Sequence, residues 1–129
     1  MLFDTDVLIW FLRGSEKAAE TIAASDDRSI SIINYMELLR GSRDKNETKA
    51  IKEFLGDFSF RVLPLTENIG HRASIYLEEY GLKSKMGVAD ALVAATAVEN
   101  HQTLLTGNQR HYQPIKDLEI KIFRPGGSS

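Results

Sequence analysis

At 129 residues, with 43% hydrophobic and 26% charged side chains, the chain is long enough to bury a self-sufficient core and fits one domain, expected over residues 1–125 with a loose tail at 126–129. It has no cysteine, which excludes a disulfide framework and thiolate-ligated zinc, suits a reducing cytoplasm, and leaves only oxygen or histidine to hold a metal. The net charge of −2, from 16 basic and 18 acidic residues, excludes a global positive field, and the apolar run Val7–Leu12 is too short to cross a bilayer and lacks the basic flank of a signal peptide. A cytoplasmic protein with no membrane partner is expected.

Met1–Phe3 reads as a short buried strand and Val7–Leu12 as a helix stopping at Arg13-Gly14. Ser15 has the chemistry of an N-cap for the helix former "EKAAETIAAS". "RSISII" alternates and is β-branched, so it predicts a strand, and "NYMELLRG" a helix ending at Gly41. Lys45–Leu55 is amphipathic, "FRVLPL" strand-like up to Pro64, and Glu67–Tyr80 helical in its apolar spacing. "GVADALVAATAVEN" predicts a small-residue helix packed closely on a sheet, followed by strands at "QTLLT" and "IKIF". This alternation of strand and helix argues for an α/β fold on a central, mainly parallel sheet.

In such sheets, sites form where strands end and helices begin. Asp4 follows the first strand, Glu37 lies just inside the helix after "SISII", Asp90 interrupts an apolar helix, and Asn108 follows "TLLT" with Thr106 beside it. Each has a simpler structural role. Asp4 or Asp6 suits the N-cap of the first helix, Asn34 and Glu37 have capping-box spacing, and Asp90 complements the positive end of its helix. Together, however, a parallel sheet brings Asp4, Glu37 and Asp90 to one edge, where they repel one another without a cation. Mg²⁺ or Mn²⁺ fits oxygen ligands and phosphodiester chemistry.

The runs "LFDTDVLI", "INYMELLRG", "VADALVAATA" and "LLTGNQRHY", in this order over nearly the whole chain, resemble the PIN-domain ribonucleases, and among them the VapC-type toxins of bacterial toxin-antitoxin pairs. The resemblance implies a three-layer α/β/α domain and a Mg²⁺- or Mn²⁺-dependent endoribonuclease. Asp4, Glu37 and Asp90 match the family's three principal metal-binding acids. Thr5 and Thr106 match hydroxyl residues that line the site, with helix capping or turn bonding as their alternative. Asn108 stands where many members carry a fourth acid, which favours one tightly held ion. Asp6, often Asn in the family, either returns that charge or caps the first helix. The reaction implied is hydrolysis, with water activated at the metal attacking phosphorus to leave a 5′ phosphate and a 3′ hydroxyl. A homodimer is also implied, as is a cognate VapB-type antitoxin whose tail crosses the metal site.

Arg40, Arg43, Lys83, Lys85 and Arg110 lie near these motifs and are candidates for holding RNA phosphates, with Lys83 and Lys85, which lead straight into the Asp90 segment, foremost; for any one of them the simpler reading is a solvated surface charge. His71, His101 and His111 have no metal spacing, and only His111 is close enough in sequence to contact substrate. "VLIWFL" is either wholly core or lends Trp10 and Phe11 to a groove for another chain. Two other functions compete. One is a non-catalytic PIN-like scaffold; the other is a haloacid-dehalogenase-type phosphatase with Asp4 as nucleophile, which lacks a convincing later acidic pair.

Overall fold

The computed structural model describes residues 1–126; the remainder of the tail expected at 126–129 lies outside the described residues. In chain order the elements are β1 (Leu2–Phe3), α1 (Thr5–Leu12), α2 (Glu16–Ala24), β2 (Ser29–Ser31), α3 (Ile32–Arg40), α4 (Lys45–Asp57), β3 (Arg61–Leu63), α5 (Glu67–Tyr80), α6 (Val88–Glu99), β4 (Leu104–Thr106), α7 (Gln109–Tyr112) and β5 (Ile120–Ile122). The strands form one sheet in the order β3-β2-β1-β4-β5, and every pairing is parallel. From β1 the chain builds outward through β2 and β3, then crosses back to β4 and β5. The order therefore reverses between β1 and β4, the place where open α/β sheets hold their ligands.

Strand alternation makes two core layers. Leu2 and Leu104 face α5 and α6, among Ile69, Ala73, Tyr76 and Val93. Their neighbours Phe3 and Leu105 face the other way, among Val7, Leu8, Ile22, Ile51 and Phe54 of α1, α2 and α4. This is a three-layer α/β/α arrangement. Each Val, Leu, Ile or Phe among these side chains, fully buried, stabilises the fold by roughly 1.5–3 kcal/mol. Helix α6 is buried on most sides because Ala91, Ala94, Ala95 and Ala97 are short enough to pack against both sheet and α5.

The expected elements are present with three shifts. First, α1 starts at Thr5 rather than Val7, because Asp4 caps it by accepting from the Thr5 amide. Second, Ile32 and Ile33 belong to α3 and not to a strand. Ser31 Oγ accepts from the Asn34 amide and Asn34 Oδ1 accepts from the Ser31 amide, both at 3.0 Å, so a reciprocal capping box starts the helix there. The box expected between Asn34 and Glu37 is thus replaced by one between Ser31 and Asn34. Third, the four-residue α7 is too short to leave a periodic signal. Ser15 caps α2 as expected, accepting from the Ala18 amide. Phe11 is half-buried against the core, stacked on Phe54 at 4.6 Å, whereas Trp10 is exposed.

Candidate metal centre

Asp4 leaves β1 at the point of strand reversal, and its carboxylate is 5% exposed. Oδ1 accepts from the Thr5 amide at 2.9 Å and from Asn34 Nδ2 at 3.2 Å. Oδ2 accepts from Thr106 Oγ at 2.8 Å and from the Tyr112 hydroxyl at 3.0 Å. An ionised carboxylate has about four acceptor positions, and here every one is met by a neutral donor. Burial pushes the Asp4 carboxyl above its ordinary range against the pull of those bonds, and the Asp90 charge adds to the rise. Burial and the charges of Asp4, Asp90 and Glu37 likewise push the Tyr112 phenol up, so it stays a proton donor.

Asp6 points across to the turn after β4, where its Oδ2 accepts from the Gly107 amide at 2.9 Å. It does not cap α1. Burial first, then the Asp4 charge, push it up to about 6. Its Oδ1 is buried without a hydrogen-bond partner among the described residues. A Cβ at residue 107 would lie 2.6 Å from Asp6 Oδ2, so this close approach requires glycine.

Glu37 is exposed on α3, and its Oε1 accepts from Thr5 Oγ at 2.5 Å. Thr5 Oγ in turn accepts from Asn34 Nδ2 at 3.0 Å. One buried amide therefore orients both Asp4 and the Thr5–Glu37 pair. Asp90 sits in the first turn of α6 and accepts from the Gly87 amide at 2.9 Å, with His111 Nδ1 3.4 Å from the same oxygen. Thr106 Oγ accepts from the Asn108 amide at 2.9 Å, while the Asn108 side chain makes no capping bond to α7.

The four expected acids thus belong to the carboxyl edge of one sheet. Thr5 and Thr106 bond directly to two of them. Sequence reasoning missed Asn34 and Tyr112 as donors to Asp4. The Ser31-x-x-Asn34 spacing carries a capping signal that could have placed Asn34; Tyr112 reaches Asp4 only through tertiary packing across 108 positions. Among the expected cations, Lys85 and Arg110 line a common cleft. Arg43 is engaged by Glu47 at 2.6 Å, Arg40 ends α3, and Lys83 is exposed in the α5–α6 connection.

Among the described residues no three His, Cys, Asp or Glu side chains converge tightly enough to hold an ion as they stand. The donor chemistry nonetheless fits a hard divalent cation: oxygen ligands, uncompensated by any described lysine or arginine, with the Asp6 Oδ1 left unmatched. To ligate such an ion, Glu37 would have to leave the Thr5 hydroxyl. Asp4, Asp90 and Glu37 are the residues that would hold it.

The PIN domain family matches residues 1–116 of this chain. Ribonuclease VapC10 of Mycobacterium tuberculosis is 35% identical over 98% of this chain and 96% of its own length. Ribonuclease VapC1 of Rickettsia felis is 32% identical over 93% of each. A toxin-antitoxin complex from Klebsiella pneumoniae contains a chain with TM-score 0.77 and 26% identity over 96% of both. With one acid capping α1 directly after β1, one on α3 and one in the first turn of α6, which follows α5 and no strand, the chain belongs to the PIN-domain family, among the VapC ribonucleases.

Proposed function

We propose that this protein is a divalent-metal-dependent endoribonuclease, using Mg²⁺ or Mn²⁺, and the toxin of a VapBC-type toxin-antitoxin pair acting in the cytoplasm as a homodimer. The observation that carries this reading is the buried Asp4 carboxylate, fully hydrogen-bonded by neutral groups and close enough to Asp90 to feel its charge. A structural acid at this depth would ordinarily be matched by a cation of the protein itself.

A bound divalent ion supplies positive charge for water ionisation and for the charge developing on a phosphodiester. The chain's own groups do the rest. Thr5, Asn34, Thr106 and Tyr112 orient Asp4, which would exchange one of these four bonds for a bound ion while the other three keep its direction. Glu37, exposed and, among the described residues, held by its side chain only through Thr5 Oγ, is the acid free to swing and accept the proton of the attacking water. Asp90 is aimed by its bond to the Gly87 amide. The Asn108 side chain is left for substrate or a supporting water.

A groove of about 630 Å³ between α1, α3 and α4 supports the antitoxin partner. Ile9, Leu12, Leu38 and Ile51 line it and Glu37 stands in its wall, so an amphipathic segment lying there brings a basic side chain to the acids. Exposed Met36 and Val88, on the two helices that carry Glu37 and Asp90, offer apolar area to a second copy.

The test is cleavage of a mixed RNA pool by partner-free protein with Mg²⁺ or Mn²⁺, beside Asp90→Asn. Metal-dependent cutting that leaves a 5′ phosphate and a 3′ hydroxyl and disappears in the variant is expected. Products ending in a 2′,3′-cyclic phosphate would refute the hydrolytic scheme, and no cutting by folded protein would favour the binding-scaffold reading.

A further inference from the structure

The acidic centre repels the polyanion it is proposed to cut, and the chain's net charge of −2 gives no general attraction. Beside the centre, however, lies a cleft of about 450 Å³ lined by Lys85, Asn108, Gln109, Arg110, His111 and Arg124, together with Gly107. Among the described residues no Asp or Glu lines it. Its cations come from three places in the chain: the α5–α6 connection, α7 and the segment after β5. Three arginines elsewhere are engaged, Arg43 by Glu47, Arg61 by Asp27, and Arg72 by Glu99 and Asp117. Among the described residues no carboxylate forms an ion pair with Lys85, Arg110 or Arg124. Asp90 lies 3.4 Å from His111 Nδ1 in the cleft wall, so the cleft opens directly from the acidic centre.

We infer that this cleft is a phosphate-binding subsite, in which Arg110 and Arg124 grip the backbone of single-stranded RNA on the β4–β5 side of the acids, with Lys85 and His111 supporting. This rests on the ribonuclease reading. Unpaired guanidiniums are suited to the task because their planar forks meet phosphate oxygens in pairs. Such a grip is indifferent to base sequence and strengthens as salt falls. The opposite flank, carrying Arg40 and Arg43, is a weaker holder because Glu47 already occupies Arg43.

The experiment is fluorescence anisotropy of a labelled twelve-nucleotide oligouridine with EDTA present, so that binding is read without cutting. Arg110→Ala/Arg124→Ala is expected to raise Kd at least tenfold and to reduce the slope of log K against log salt by about 1.4, roughly 0.7 for each single-strand phosphate that is no longer neutralised. Arg110→Lys/Arg124→Lys, which keeps the charges, should recover part of the affinity, and Arg40→Ala/Arg43→Ala should change Kd less than twofold. Equal weakening by the two alanine pairs, an unchanged Kd in the cleft pair, or no binding by the wild type each overturn the subsite. Wild-type protein that binds through the cleft but cuts no RNA with Mg²⁺ or Mn²⁺ leaves the subsite standing and removes the nuclease reading instead.

Discussion

Asp90 and Glu99 stand near opposite ends of α6, and the two ends treat a carboxylate differently. Glu99 accepts from Arg72 at 2.5 Å, and the same guanidinium reaches Asp117 at 2.8 Å, itself bonded by Tyr76. Asp27, at the same amino edge of the sheet, is paired with Arg61. At the carboxyl edge Asp4, Asp6, Glu37 and Asp90 are met by amides and hydroxyls, with one imidazole near Asp90. A neutral donor orients an acid without cancelling its charge. The amino edge is therefore built to be finished, and the carboxyl edge to receive something positive.

The sharpest way to break that contrast is to remove Asp4. Asp4→Ala leaves the buried donors of Asn34, Thr106 and Tyr112 without their acceptor, and stability in urea should fall by about 3 kcal/mol or more. Asp4→Asn, which keeps one acceptor oxygen, should fall by less. Next in size is the response to metal: Mn²⁺ at a hundred times its Kd should stabilise the wild type by about 2.7 kcal/mol. Asp90→Asn should lose most of that gain, whereas Arg72→Met should keep it. A gain that survives in Asp90→Asn would mean the ion sits elsewhere.

Asp6 gives a pH test. Its folded-state value, about 6, lies above its ordinary one, so the folded protein holds that proton more tightly than the unfolded chain. Stability from this group is full below about pH 4 and is lost as pH rises through 6. In EDTA, Asp6→Asn should raise Tm by about 3 °C at pH 7.5, by about a third of that at pH 4.5, and by almost nothing below about pH 3.5. Equal effects at all three pH values would show that the carboxylate is not strained. The smallest effect belongs to the paired edge: Arg72→Met should cost about 1 kcal/mol or less and leave RNA cleavage unchanged, since its partners are part-exposed.

Much of this is legible in the sequence because it depends on local pattern. Glu67–Tyr80 has the bounds its apolar spacing predicts, and the strand ends that carry Asp4 and Thr106 follow from short β-branched or leucine-rich runs. The start of α3 is misread from pattern because Ile32 and Ile33 have strand-like side chains, while the decisive interaction is Ser31 with Asn34. Tyr112 and the true task of Asp6 are out of reach for another reason. Both bonds join the first turn of α1 or its cap to the β4–α7 segment, 101 and 108 positions away, and no spacing rule spans that distance.

The central strand is only two residues long, so the last core residue, Phe3, adjoins the first acid of the site with nothing between them. The Asp4 amide donates to Leu105 O at 2.9 Å and is itself a rung of the sheet. Its proton should trade for deuterium only when the whole molecule opens, whereas the amides of the four-residue α7 should trade through local fraying. The buried acid proposed to hold the metal thus shares the lifetime of the fold, and the α7 side of the proposed cleft keeps its own, faster clock.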